Sequence, residues 1–202
     1  MRKIERIIYA SIGMVLLCAG IAFVAKARIG SDCLTLFVQA LNYNFGYTVG
    51  TWNTIVGATL VIIALICDKK KIGYATIFYL LVNKYIIDGL LEVLPMPKSY
   101  VLDFIYCLIA IVIISFGCAL TISARMGMSY YDAFCYAVSE KLKFKYVYFR
   151  YILEGIFLIT SMLLHVYPGI GTIIYFVALG PCLSFFLDRI KEPIRKRLGL
   201  PL

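Results

Sequence analysis

Residues 27–30 read Ala27-Arg28-Ile29-Gly30, and residues 124–127 read Ala124-Arg125-Met126-Gly127. In the same register Phe37 matches Phe134 and Ala40 matches Ala137. Further along, Ile72-Gly73-Tyr74-Ala75-Thr76-Ile77 lines up with Pro168-Gly169-Ile170-Gly171-Thr172-Ile173 after a shift of one residue. Lipid-facing helices resemble one another by composition alone, but turns do not, so these matches mark an internal repeat. The two copies divide the chain at 98/99, as segments 1–98 and 99–202.

The solvent for this duplicated unit is lipid. Hydrophobic residues make up 62% of the 202 residues, charged residues 15%, and the mean hydropathy is +0.91. A soluble fold of this size cannot hide that much apolar surface. A bilayer core about 30 Å thick takes roughly 20 apolar residues per helix. Runs of that kind fall at Ile7–Ala25, Val49–Cys67, Ile72–Leu94, Val101–Ser123, Val147–His165 and Gly171–Leu187. They are continuous, not alternating, which favours helices over barrel strands. Arg2, Lys3 and Arg6 before the first run imitate a signal peptide, but the apolar stretch is too long for one and reads as a retained helix. Two shorter segments, Ser31–Asn44 and Ser129–Leu142, carry apolar residues at helical spacing and cannot cross. Ser31 or Asp32 would cap the first, and Ser129 with Asp132 makes a capping box for the second. Both are expected to be interfacial or re-entrant helices.

The expected fold is therefore all-α, a polytopic membrane bundle of six transmembrane helices arranged as two three-helix repeats. Three crossings per copy is an odd number, so the second copy enters with opposite orientation, as inverted repeats of many secondary transporters do. The net charge of +9 is distributed accordingly. With both termini in the cytoplasm, the inner side collects Arg2, Lys3, Arg6, Lys69, Lys70, Lys71, Arg125, Lys141, Lys143, Lys145, Arg150 and the basic residues from Arg189 to Arg197. The outer side receives Lys26, Arg28 and Lys98. Such a bias fits the positive-inside rule for a plasma-membrane protein. The basic residues do not interleave with aromatics on a polar face, so nucleic acid is not an expected partner.

The motifs Ala27-Arg28-Ile29-Gly30, Ala124-Arg125-Met126-Gly127 with Asp132, and Gly169-Ile170-Gly171-Thr172 followed by Gly180-Pro181 resemble the YczE/YyaS/YitT group of bacterial inner-membrane proteins. The first half departs from the pattern, with Lys84 where the second has Gly180 and Asp88 where it has Ser184. The resemblance implies a polytopic bacterial membrane protein and says little about substrate.

Ionisable residues inside a span are costly and are functional candidates by default. Lys84, Asp88 and Glu92 are spaced by four on the third long helix and share one face. Lys84 with Asp88 is either a self-neutralising structural pair or a substrate charge with its counter-ion. Gly180-Pro181 breaks the hydrogen-bonding pattern in the middle of the last helix, in the place that matches Lys84. Arg150 and Glu154 form a second pair spaced by four, where Trp52 and Asn53 stand in the first half. Arg28 and Arg125 flank the N-termini of the short helices, where backbone N–H groups can meet an anion.

These residues point to a small permease. A small polar, anionic or zwitterionic solute would bind Lys84, Asp88, Gly180 and Pro181, with Arg150, Glu154, Arg28 and Arg125 as further candidates. Two other classes fit the same composition: a non-transporting scaffold or regulatory partner of a biosynthetic or export complex, and the substrate-binding subunit of a vitamin importer. An enzyme is not expected. His165 is the single histidine, and there is no HExxH, Walker A or GxGxxG sequence. No metal or cofactor is expected, and the seven cysteines show no CxxC spacing. Two three-helix halves leave a thin wall around any pathway, which a homodimer would thicken.

Overall fold

A computed structural model of the chain describes residues 2–69 and 72–198, without the side chains of Arg2, Val147, Lys191, Arg195 and Arg197. Lys70 and Lys71, part of the charge bias above, lie outside the described residues. Among the described residues there are eight helices and no strand. They are α1 (Arg2–Lys26), α2 (Cys33–Phe45), α3 (Val49–Cys67), α4 (Tyr74–Val93), α5 (Tyr100–Ala124), α6 (Tyr130–Lys141), α7 (Tyr146–Leu163) and α8 (Ile170–Leu198). By length and composition α1, α3, α5 and α8 are apolar enough to cross a membrane. Helices α4 and α7 are 20 and 18 residues long, but Lys84, Asp88 and Glu92 in the first and Arg150 and Glu154 in the second make them more polar.

Local sequence sets the helix starts. The Asp32 carboxylate accepts the Thr35 N–H at 3.1 Å and caps α2. Ser129 accepts the Asp132 N–H at 3.2 Å and caps α6. Thr48 does the same for α3 through Thr51. Each cap supplies an acceptor to one of the N–H groups that a helix start leaves without an internal partner.

Helices α1 and α5 lie antiparallel along their whole lengths. At one end Arg6 donates to the carbonyls of Ala124 and Arg125, at 3.0 and 2.7 Å. At the other, Arg28 meets Asp103 at 3.0 Å, with the Phe23 and Tyr106 rings one turn inward. The backbones come closest at Gly13 and Gly117, where a Cβ on either residue would stand 2.7 Å from the other's carbonyl oxygen. Small residues are what allow such a crossing between apolar helices. Around this pair, α4 packs on α1 and α8 on α5, while α6 packs on α3 and α2 on α7. Helix α3 also packs along α4. Helices α7 and α8, among the described residues, lack that side-by-side packing and meet through Tyr151 and Phe176, whose rings are 5.1 Å apart.

The matched turns are the places where the two halves grip each other. Gly171 N–H donates to the Ile29 carbonyl at 2.7 Å, and Ala75 N–H donates to the Met126 carbonyl at 3.0 Å. Ile29 and Met126 occupy matched positions in the sequence repeat, as do Gly171 and Ala75. The next residues along the chain, Gly30 and Gly127, have φ of +120° and +116°. A Cβ on Gly127 would be strained by that dihedral and would lie 2.9 Å from Gly73 Cα. We expect Gly127→Ala to cost about 2 kcal/mol or more, read as a lowered unfolding midpoint of the purified protein. Gly89→Ala, at an open position inside α4, should leave the midpoint unchanged or raise it.

Candidate functional site

The two short helices begin inside the bundle. The Tyr130 ring at the start of α6 lies against Gly57, midway along α3, where a Cβ would stand 2.9 Å from it. Phe37 of α2 stacks on Phe157, ring centroids 5.1 Å apart, and Asn44 donates to the Leu164 carbonyl. Helix α2 therefore runs beside the second half of α7, with its N-terminus near the middle of that helix.

Between the two N-termini lies a cavity of about 400 Å³. Its charged lining is Asp32, Asp132, Arg150 and Glu154, three carboxylates against one guanidinium. Leu17, Ile21, Ile114 and Leu179 contribute apolar wall, and tyrosines 79, 130, 131, 146, 151 and 175 contribute rings and hydroxyls. Arg150 is held through Nε and Nη1. Its Nε meets Glu154 at 3.0 Å, and its Nη1 meets Asp132 at 3.4 Å and Tyr146 Oη at 3.0 Å. Its guanidinium also lies 5.4 Å from the centre of the Tyr131 ring. Asp132 in turn accepts from Tyr146 at 2.8 Å and from Ser129 at 2.9 Å.

Asp32 is different. Its capping oxygen is used, but its Oδ1 is buried without a hydrogen-bond partner. Four more buried polar atoms on the cavity wall are equally unpartnered: Tyr131 Oη, Ser115 Oγ, Thr172 Oγ1 and Tyr175 Oη. Native interiors rarely leave such atoms unsatisfied. Ser115, Thr172 and Tyr175 are 0, 4 and 2% exposed.

The structure distributes the residues singled out from sequence. Arg150, Glu154 and Gly180 line the cavity. Pro181 lies within the continuous helix α8 and is not on the cavity wall. Lys84 stands on the exposed side of α4 and forms no ion pair with Asp88 among the described residues. Asp88 instead accepts from Thr48 Oγ1 at 2.5 Å and Gly50 N–H at 2.9 Å, tying α4 to the start of α3. Lys84 is thus not brought to Gly180, because its helix turns Asp88 toward α3 and leaves the lysine outside. Arg28 is engaged by Asp103, which raises its pKa further through a direct hydrogen bond. Arg125 ends α5 in a left-handed conformation with its side chain exposed. Sequence reasoning read Asp32 and Asp132 as caps and did not see that the capped ends converge. The tyrosine pair Tyr79 and Tyr175, at matched positions after the glycine–threonine turns, was the available signal.

Comparison with known proteins agrees with a membrane-embedded chain. The profile of the family of unknown function DUF6198 matches residues 4–188. The chain belongs to that family. Among its relatives, the uncharacterized membrane protein YczE of Bacillus subtilis (strain 168) is 26% identical over 180 residues, covering 88% of this chain and 83% of the relative. The uncharacterized protein YyaS of the same organism is 25% identical over 195 residues, covering 94% and 93%. An uncharacterized protein of Haemophilus influenzae (strain ATCC 51907 / DSM 11121 / KW20 / Rd) is 22% identical over 171 residues, covering 85% and 78%. No solved structure matches the chain. The YczE and YyaS matches bear out the resemblance read from the turn motifs.

Arg150 balances two carboxylates that its removal would strand. We expect Arg150→Leu to lower stability by about 3 kcal/mol, while Lys84→Ala leaves the unfolding midpoint of the purified protein where it was.

Proposed function

We propose that this protein is a small membrane permease whose two halves alternate access to the central cavity. Four helices long and apolar enough to cross, together with a relative described as a membrane protein, make the chain a membrane protein. The finer reading takes α4 and α7 as crossings too, for six in all, with both termini in the cytoplasm and α2 and α6 re-entrant. Support comes from the antiparallel course of α1 and α5, which occupy matched positions in the sequence repeat. The reciprocal turn contacts support it as well. On this reading the cavity lies near the bilayer midplane, between the halves, where inverted-repeat transporters bind their solutes.

The observation that carries the reading is the cavity itself. Charges and unpartnered polar atoms within a span are expensive, and a scaffold has no use for a central cavity that carries them. Its volume suits a small polar solute. A second cavity of about 360 Å³ is lined by Gly30, Gly169 and Arg28. Gly30, on this second cavity, contacts Thr172, on the first, so movement of one half against the other at this contact would join the two. With Lys84 on the outside, the solute contacts assigned here shift to Asp32, Arg150, Glu154 and the Gly180 face of α8.

Ser184 lies on the cavity wall, so a single thiol there reports access without any knowledge of the solute. In a chain whose seven native cysteines are replaced, Ser184→Cys should react with a membrane-impermeant thiol reagent from both sides of oriented vesicles. Labelling from neither side, or from one side under every condition, would remove the permease reading. Reporter tags on both termini should be protected in right-side-out vesicles, and an exposed tag would remove the six-crossing topology.

A further inference from the structure

We infer that the cavity is a binding site for an organic ammonium group, with Asp32 Oδ1 as its principal acceptor. The inference rests on the cavity being a solute site, as proposed above, and adds the chemistry of the solute.

Four observations converge. The wall carries three carboxylates against Arg150 alone, and Arg150 is already engaged by Glu154, Asp132 and Tyr146. Asp32 Oδ1 is buried with no partner, and Tyr175 Oη and Thr172 Oγ1, both buried, are unpartnered on the same wall. All three can accept a hydrogen bond, which a primary ammonium needs, while a quaternary one, having no N–H, is met by the carboxylate's charge and the ring faces alone. An anion would face three carboxylates and one guanidinium that is already paired, and at the start of α2 it would meet the Asp32 carboxylate itself. Finally, the carboxylates do not cluster. Among the described residues no three His, Cys, Asp or Glu side chains are placed to hold a metal ion, and the rest of the wall is largely apolar and aromatic. Separated negative charge beside tyrosine rings suits a cation with an organic skin, which gains from ring faces as well as from carboxylate.

The ammonium could belong to a free solute or to a lipid headgroup, since α7 and α8 are bridged at Tyr151 and Phe176 without side-by-side packing. The test uses the full chain in phosphatidylglycerol nanodiscs, titrated calorimetrically with choline, ethanolamine and the uncharged choline isostere 3,3-dimethyl-1-butanol. At least one of the two ammonium probes should saturate, and the isostere should bind about tenfold more weakly or not at all. Asp32→Asn keeps a good helix cap and should weaken ammonium binding by about tenfold. Tyr175→Phe removes a hydroxyl without a partner and should weaken it several-fold with an unchanged melting midpoint. Equal binding of the isostere, no saturable binding of either ammonium, or unchanged affinity in both variants overturns the inference. Nanodiscs containing phosphatidylethanolamine separate the sources. A lipid-borne group would suppress choline binding and leave phosphatidylethanolamine bound to the wild type in native mass spectra, whereas a free solute site would titrate as before. Ammonium binding without uptake into proteoliposomes would remove the permease reading and keep the site. Uptake of an uncharged or anionic solute that is indifferent to Asp32→Asn would do the reverse.

Discussion

Two backbone hydrogen bonds, Gly171 N–H to Ile29 and Ala75 N–H to Met126, carry more of this structure than their number suggests. Each gives the first turn of a long helix an acceptor that the helix itself cannot supply. In a low-dielectric interior an unsatisfied N–H costs several kcal/mol, so the loops of one half must come to the helix starts of the other. Only a residue without a side chain can pass at that distance and then turn, which explains glycine at 30 and 127 with φ above +110°. The chain beyond each glycine is constrained in turn. Ser31-Asp32 and Ser129 leave the contact already inside the bundle, and the short helices they cap start there. The buried N-termini are therefore a consequence of the turn contact, and the cavity between them is a consequence of both.

The close approach of α1 and α5 does the complementary work. Gly13 and Gly117 let the two backbones meet, and the ends are latched by different chemistry. At one end Asp103 takes the Arg28 guanidinium and its backbone N–H. At the other Arg6 takes the last carbonyls of α5, which a helix C-terminus leaves free and electronegative. Both latches neutralise a charge or a dipole at a helix end. Arg28 is thereby paired with Asp103 and does not stand as a lone cation beside the α2 N-terminus.

Most of the helix pattern was legible in the sequence because it obeys local rules. The long apolar runs, the caps at Asp32 and Ser129, and the matched turns each need a window of a few residues, and all are present. The site was only partly legible. Spacing by four correctly put Arg150 and Glu154 on one face, and both line the cavity. The same rule applied to Lys84 and Asp88 gave a pair that does not form, since Thr48 and Gly50 of α3 outcompete the lysine for the carboxylate. A spacing rule describes one helix and knows nothing of its neighbour. The convergence of Asp32, Thr172 and Tyr175 requires contacts between distant segments, and no single window contains it.

The asymmetry of the cavity shows why the charged residues sit where they do. At matched positions of the repeat, Tyr130 corresponds to Cys33, Asn53 to Arg150 and Gly57 to Glu154. On the α3 side Tyr130 fills the space over Gly57, stacks on Tyr79 and donates to Asn53 at 2.6 Å. That side is closed by a neutral hydrogen bond and a ring. On the α7 side a small cysteine replaces the tyrosine, and the vacated volume is lined by a guanidinium and carboxylates. Were packing the sole requirement, the closed arrangement would serve both sides, and burying Arg150 with its partners would add desolvation cost for nothing. One lobe sealed and neutral and the other open and charged is the division that the proposed binding role asks of such a matched pair.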